Sequence, residues 1–377
     1  MIAFYTFISF LLTGLYLLVL AYLIKGWSAL KRPQLSDPSP FKTKVTVLIA
    51  ARNEEDNIAE TIDDLLAQDY PHELTEIIIV DDHSTDNTAH IILSYANRGV
   101  KLLQLKEDQA LNSYKKKAIT EAIARSTGDL LVATDADCRM GSKWLSTVVG
   151  YYETYNLVMI SSPVTYFHEK TFFERLQTLE FSFLIGIGAA FIGNGRASTC
   201  NGANLAYRKD VFYEVGGFKG IDNLASGDDE LLLQKVAKVY PGRIGFLKDI
   251  EAVVYTYAKP DLSAFIQQRR RWASKSTHYK DKKIVALAVG IWLFNLSLLF
   301  NVVGGIFYSG FYKILGLELL LKILFEGIFL MLVTSFFNRK SLVKWLLLLS
   351  PIHIFYVVYV GLIGNSRTYA WKGRMVR

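Results

Sequence analysis

At 377 residues the chain is long enough for one large or two ordinary domains. About half of it (51%) is hydrophobic, and the net charge of +7 gathers near the apolar ends and in "QQRRRWASKSTHYKDKK", a placement that fits anionic lipid headgroups rather than nucleic acid. Cys138 and Cys200 are isolated thiols, which argues against a disulfide framework or a zinc cluster and fits a reducing compartment.

Residues 1–24 carry no charge and are long enough to cross a bilayer at about 1.5 Å per residue. No basic residue precedes this run and no small-residue cleavage site follows it, so an uncleaved anchor is expected. Lys25, Lys31 and Arg32 come next, which places the following chain in the cytoplasm, at the plasma or inner membrane. Residues 25–43 read as a polar, proline-bearing linker, and residues 44–275 as a domain.

That domain alternates strand and helix patterns. "KVTVLIA", "TEIIIVDD", "VKLLQL" and "GDLLVATDAD" are strand-like. "NEEDNIAETIDDLLAQ", "TDNTAHIILSYANR", "YKKKAITEAIARS" and "SKWLSTVVGYYETY" are helical, the first with Ile58, Ile62, Leu65 and Leu66 on one face. This order predicts an α/β fold with a parallel, doubly wound sheet whose ligands bind beyond the carboxyl ends of its strands. "FFERLQTLEFSFLIGIGAAFIG" is predicted to be an interfacial helix, with a core helix as the alternative. Residues 276–377 form a membrane region of two or three further spans, in which Glu318, Lys322 and Glu326 must pair along one face or look into the bundle. Four spans in all would put the basic "RTYAWKGRMVR" outside, against the positive-inside rule, and the count stays at three or four.

The chemistry-bearing residues fall at predicted strand ends: "ARNEE", then Asp81 and Asp82, then Asp135 and Asp137. Asp also caps helices, so each stretch alone reads as well as a cap. Together they bring acids to one sheet edge. An Asp-x-Asp there offers hard oxygens suited to Mg²⁺ or Mn²⁺, able to bridge a diphosphate. Lys115, Lys116 and Lys117 open a helix just upstream, within reach of a phosphate or simply solvated. "GDDE" and "QRRRW" read as a helix start rich in acids and a basic juxtamembrane patch, or as parts of the same site.

The ordered set "VTVLIAARNEE", "IIIVDDHSTDNT", "LLVATDADC", "CNGANLAYRKDVFYEVGGF", "GDDELL" and "QRRRW" resembles the membrane-bound family 2 glycosyltransferases with the Rossmann-like GT-A fold, among them cellulose, chitin and hyaluronan synthases and ceramide glucosyltransferases. The resemblance implies that Arg52, Asn53 and Glu54 contact the nucleotide, although Ala51 and Arg52 replace the usual proline and aromatic residue. It also implies that Asp82 holds the uridine, that Asp135 and Asp137 hold the metal and diphosphate, and that Lys115 belongs to the nucleotide end. Asp229 would be the general base with Asp228 its neighbour, one of the two able to have its pKa raised by the other. Gln268, Arg271 and Trp272 would lie at the acceptor and diphosphate end; Asn201 and Asn204 offer hydrogen bonds to sugar hydroxyls or, equally well for Asn in a turn, to the backbone.

The expected function is therefore inverting, metal-dependent transfer from a nucleotide sugar, expected to be a UDP-sugar, to a lipid or lipid-linked glycan at the bilayer. A processive polysaccharide synthase acting as an oligomer is the nearest alternative. A non-catalytic membrane scaffold with a degenerate sugar-binding domain is the alternative of another class; it predicts loss of an acid from the set, and all are present.

Overall fold

The computed structural model describes residues 2–34, 41–106, 111–274, 279, 281–363, 369–372 and 374–376. Parts of the predicted linker (35–40) and of the basic run (275–278 and 280) lie outside the described residues. In chain order the elements begin with α1 (Ile2–Ala29), β1 (Val45–Ala51), α2 (Ile58–Leu66), β2 (Thr75–Asp81), α3 (Thr88–Ser94) and β3 (Val100–Gln104). There follow α4 (Tyr114–Arg125), β4 (Leu130–Ala133), β5 (Arg139–Met140), α5 (Trp144–Tyr155), β6 (Met159–Ser161), β7 (Val164–Tyr166) and α6 (Phe172–Gly193). Next are β8 (Leu205–Arg208), α7 (Lys209–Glu214), α8 (Glu230–Val239), β9 (Ile244–Phe246), β10 (Val254–Thr256) and α9 (Leu262–Ser274). The chain closes with α10 (Lys282–Phe307), α11 (Gly310–Phe336), α12 (Leu346–Ile363), β11 (Tyr369–Trp371) and β12 (Arg374–Val376).

The chain divides into two compact units, one of residues 1–28, 170–190 and 259–369 and the other of residues 29–169, 191–258 and 370–377. The second unit is built on a seven-stranded sheet of order β3-β2-β1-β4-β8-β6-β9. Val47, Ile49, Ile78, Ile79, Leu131 and Val132 are buried along its central strands, as near-continuous apolar runs covered on both faces should be. Gly128 lets the sheet close: a Cβ there would sit 2.5 Å from the Thr46 backbone nitrogen. Strands β1 to β4 are parallel, as expected. Beyond those four strands the sheet is mixed: β8, not foreseen in its direction, runs antiparallel to both β4 and β6. Leu205 pairs with Ala133 and Arg208 with Leu130, so β8 starts at the rim where β4 ends and its preceding loop arrives beside the Asp135 stretch. A smaller three-stranded sheet has the order β5-β10-β7.

The first unit is helical. Helices α1, α6, α10 and α11 are each long and apolar enough to cross a membrane, as is the stretch Lys340–Leu362 that contains α12. Phe7, Leu18, Ile306, Leu320 and Phe355 are exposed on them, an apolar exterior suited to lipid. Inside, Leu179, Leu330, Leu342 and Leu346 pack in one cluster, and Tyr16 stacks on Phe294 with ring centroids 4.3 Å apart. Glu318, Lys322 and Glu326 all face the interior. Glu318 accepts hydrogen bonds from Ser9 Oγ (2.7 Å), Thr13 Oγ1 (2.9 Å) and Asn301 Nδ2 (2.8 Å). Lys322 pairs with Glu326, which also accepts from the Tyr16 hydroxyl. Charges one turn apart on one face thus neutralise each other or are fully hydrogen-bonded where water is absent.

Candidate active site

Four loops at the carboxyl ends of β1, β2 and β4 and at the start of β8 build the site. The backbone of Asp82 donates to Ala51 O at 2.8 Å, which binds the two strand ends together. Arg52 reinforces this by donating from Nη1 to the carbonyls of Asp82 (2.8 Å) and His83 (2.6 Å). Asn53 sits at φ +50°, a conformation Asn tolerates, and its Oδ1 accepts from Thr85 N at 2.8 Å. Of the motif's side chains, then, Arg52 and Asn53 order the two loops. Glu54 is largely buried; burial raises its pKa above the ordinary value and Lys372 opposes that rise through a direct ion pair.

Asp82 is only 2% exposed. Its Oδ1 contacts His83 Nδ1 at 3.0 Å and Arg374 Nη1 at 2.8 Å. Its Oδ2 is buried with no hydrogen-bond partner among the described residues. Arg374 also lies over the Tyr114 ring, 3.8 Å from its centroid.

Beyond β4, Asp135, Asp137 and Cys138 bring ligand atoms within 4.8 Å of one another. Burial, then Asp137 and Asp135, push the Cys138 thiol well up, so the two carboxylates are the natural ligands and the set fits a hard divalent cation. Lys115 donates to Asp135 Oδ1 at 2.7 Å and lies 3.2 Å from Asp228 Oδ2. Burial alone would lower the Lys115 pKa, but Asp135 and Asp228 outweigh it and raise it well above the ordinary lysine value. Lys116 donates to the carbonyls of Leu224 and Ser226 (2.7 Å for the latter), which fastens the "GDDE" loop to α4. The lysine triplet is thus no solvated helix start at its first two positions.

Burial raises the Asp228 carboxyl, yet Lys115 and then Lys116 overcome it and hold the pKa at about 2. The expectation that one acid of the pair has its pKa raised by the other is therefore not met at Asp228. Asp229 caps α8: its Oδ1 accepts from Glu230 N (2.6 Å) and its Oδ2 from Gly202 N (3.1 Å). The approach is close: a Cβ at Gly202 would lie 3.2 Å from the Asp229 Cβ, a tight contact. The same contact ties the "CNGAN" loop to the "GDDE" segment.

The two asparagines take the second of their two expected roles, bonds to the backbone. Asn201 Oδ1 accepts from Ala203 N at 2.9 Å, a local cap. Asn204 is 1% exposed; it accepts from Trp144 Nε1 at 3.0 Å and donates to Pro163 O and Ala252 O, both at 2.8 Å. Its amide is engaged in the core, which is the backbone role rather than the sugar-hydroxyl role of the two expected of it.

Residues 46–216 match the description "Glycosyl transferase family 2". The chain carries a family 2 glycosyltransferase domain. Similar proteins include a beta-monoglucosyldiacylglycerol synthase of Nostoc sp., 26% identical over 61% of this chain and 48% of that protein. A poly-beta-1,6-N-acetyl-D-glucosamine synthase of Staphylococcus epidermidis is 23% identical over 61% of this chain and 53% of that one. The chain spans about half the length of the curated relatives it matches. Among solved structures, the mannosyltransferase PcManGT of Pyrobaculum calidifontis, solved with GDP-Man and Mn²⁺, has a TM-score of 0.59 at 18% identity, covering 96% of this chain and 98% of that one. The glycosyltransferase domain accordingly has the GT-A fold, as its resemblance implied.

Gln268, Arg271 and Trp272 lie on α9 in the helical unit, all half-buried. The buried arginine of that helix is Arg269, which pairs with Glu180 and stacks between Phe265 (4.4 Å) and Trp272 (4.3 Å). In the sequence Arg269 was one of three equivalent arginines; helical phase, which sets it one turn from both Phe265 and Trp272 or nearly so, is the signal that singles it out. Tyr114, His83, Lys372 and Arg374 were not foreseen. Lys372 and Arg374 are far from Asp82 in sequence, and only the fold brings them to it.

Proposed function

We propose that the chain is an inverting glycosyltransferase that takes a sugar from a nucleotide sugar, a UDP-sugar by expectation, and passes it to a lipid or lipid-linked glycan at a membrane. The observation that carries this reading is that Lys115 joins Asp135 of the Asp135–Asp137 pair to Asp228, whose neighbour Asp229 is held by Gly202 N, while the buried Asp82 stands at the end of the neighbouring β2. In this reading Asp82 accepts from the base and Lys115 faces the diphosphate. Mg²⁺ or Mn²⁺ held by Asp135 and Asp137 would neutralise charge on the departing diphosphate. Asp229, its two oxygens oriented by Gly202 N and Glu230 N, takes the proton of the acceptor hydroxyl as that oxygen attacks the anomeric carbon. Asp228 stays ionised beside Lys115 and keeps the base segment in place.

Five apolar helices support a membrane setting, with the glycosyltransferase domain on the cytoplasmic side by the positive-inside rule. The match to a glucosyldiacylglycerol synthase favours a lipid acceptor, and the match to a poly-N-acetylglucosamine synthase keeps a polymer as the second reading. The test uses the full chain in lipid nanodiscs with a panel of nucleotide sugars. Turnover should require Mg²⁺ or Mn²⁺, stop with EDTA, and be abolished in Asp229→Asn while nucleotide binding persists. Unchanged turnover in that variant would remove Asp229 as base. Mass spectrometry of lipid and glycan fractions from expressing cells then separates a glycolipid product from a polymer.

A further inference from the structure

The C-terminal residues belong to the same compact unit as the glycosyltransferase domain, and their cations lie on its nucleotide motifs. Arg374 binds Asp82 Oδ1 at 2.8 Å and covers Tyr114 at 3.8 Å. Lys372 donates to Glu54 Oε1 and, at 2.6 Å, to the carbonyl of Arg52, while Arg52 Nε donates back to Lys372 O at 3.3 Å. A tail of two residues with described side chains thus holds both acids of the base end.

We propose that this C-terminal segment is an intramolecular competitor of the donor nucleotide: Arg374 and Lys372 hold Asp82 and Glu54 until the nucleotide takes their place. The inference rests on the reading of Asp82 as the acid that holds the base. A guanidinium is a flat fork of N–H donors, and at 3.8 Å over Tyr114 it fills the stacking distance a nucleobase would use. Its N–H groups meet the carboxylate that a base N–H would meet. The two cannot occupy that place together. The orphaned Asp82 Oδ2 shows that Arg374 satisfies the site only in part, which leaves a better partner something to gain. Arg52 and Arg374 also bring two positive charges to the same strand end; burial and then Arg374 lower the Arg52 pKa, so their repulsion favours release of the tail.

The test measures binding of UDP and of GDP, by calorimetry, to the full chain in nanodiscs. Arg374→Ala and the double variant Lys372→Ala/Arg374→Ala should bind the preferred nucleotide at least about fivefold more tightly than the unaltered chain. Saturating nucleotide should also speed trypsin cleavage after Lys372 and Arg374 in the unaltered chain by severalfold. Unchanged affinity, or affinity weakened in the variants, overturns the proposal; the weakened result would make the tail a clamp on the donor. Asp82→Asn separates the two levels. If it weakens nucleotide binding while Arg374→Ala changes nothing, only the competitor fails. If neither nucleotide binds any form, the base-end reading fails and the competitor with it.

Discussion

Asn204→Ala takes one acceptor and two donors out of a position that is 1% exposed. Three partners are left behind: Trp144 Nε1–H, the carbonyl of Pro163 and the carbonyl of Ala252. Each buried group without a partner costs about 1–3 kcal/mol, and the carbonyls find partial substitutes, so the total is roughly 3–5 kcal/mol. For a unit of this size that corresponds to about 10 °C in apparent Tm. Differential scanning fluorimetry in nanodiscs reads it directly, with Trp144 emission as an internal reporter of the lost bond. Asn204→Asp should do no better, because a carboxylate oxygen would then face two carbonyls. Turnover at a temperature well below unfolding should fall only with the folded fraction, and the donor KM should hold. An apparent Tm within about 2 °C of the unaltered protein, with turnover lost, would refute the structural assignment and return Asn204 to the acceptor.

Three further outcomes are expected. The folded pKa of Asp228, about 2, lies below the ordinary carboxylate value near 4, so its contribution is present above that value and fades as pH falls from about 4 toward 2. Lys115→Met removes the main charge that holds it there and should flatten the fall of Tm with acid between about pH 4 and 2; an identical acid profile would contradict this. Gly128→Ala drives a Cβ to 2.5 Å from the Thr46 backbone, and because backbone cannot yield as a side chain tip does, soluble yield and Tm should both drop sharply. Glu180→Ala leaves the Arg269 charge buried without its carboxylate, a loss of about 3–5 kcal/mol, whereas Glu180→Leu/Arg269→Leu should recover much of it. Equal thermal stability of the single and double variants would show that the pair is not what holds α9 there.

The strand–helix alternation up to α5 was legible because those strands are long apolar runs separated by amphipathic helices. Strands β5, β6, β7, β9 and β10 were not, since two or three residues carry no periodicity. The reversed β8 was invisible for a different reason: a strand's residues do not state its direction, and only the rim position of its loop sets it. Asp82, Asp135 and Asp137 stood out as candidates because acids at strand ends are unusual when they recur, whereas Asp228 and Asp229 open a helix and stood out only through the resemblance. Asn204 kept two readings because an amide that ties a loop into the core has the same local sequence as one that meets a ligand. Asp229 is a helix cap as the plainer reading of "GDDE" held, and the cap is also what orients it.

The tail's attachment has a consequence for how the glycosyltransferase unit is closed. Residues 370–377 rejoin the unit that residues 29–169 and 191–258 form, although the whole of residues 259–369 lies between. Removing them would take Lys372 from Glu54 and Arg374 from Asp82 while leaving every strand of the seven-stranded sheet in place.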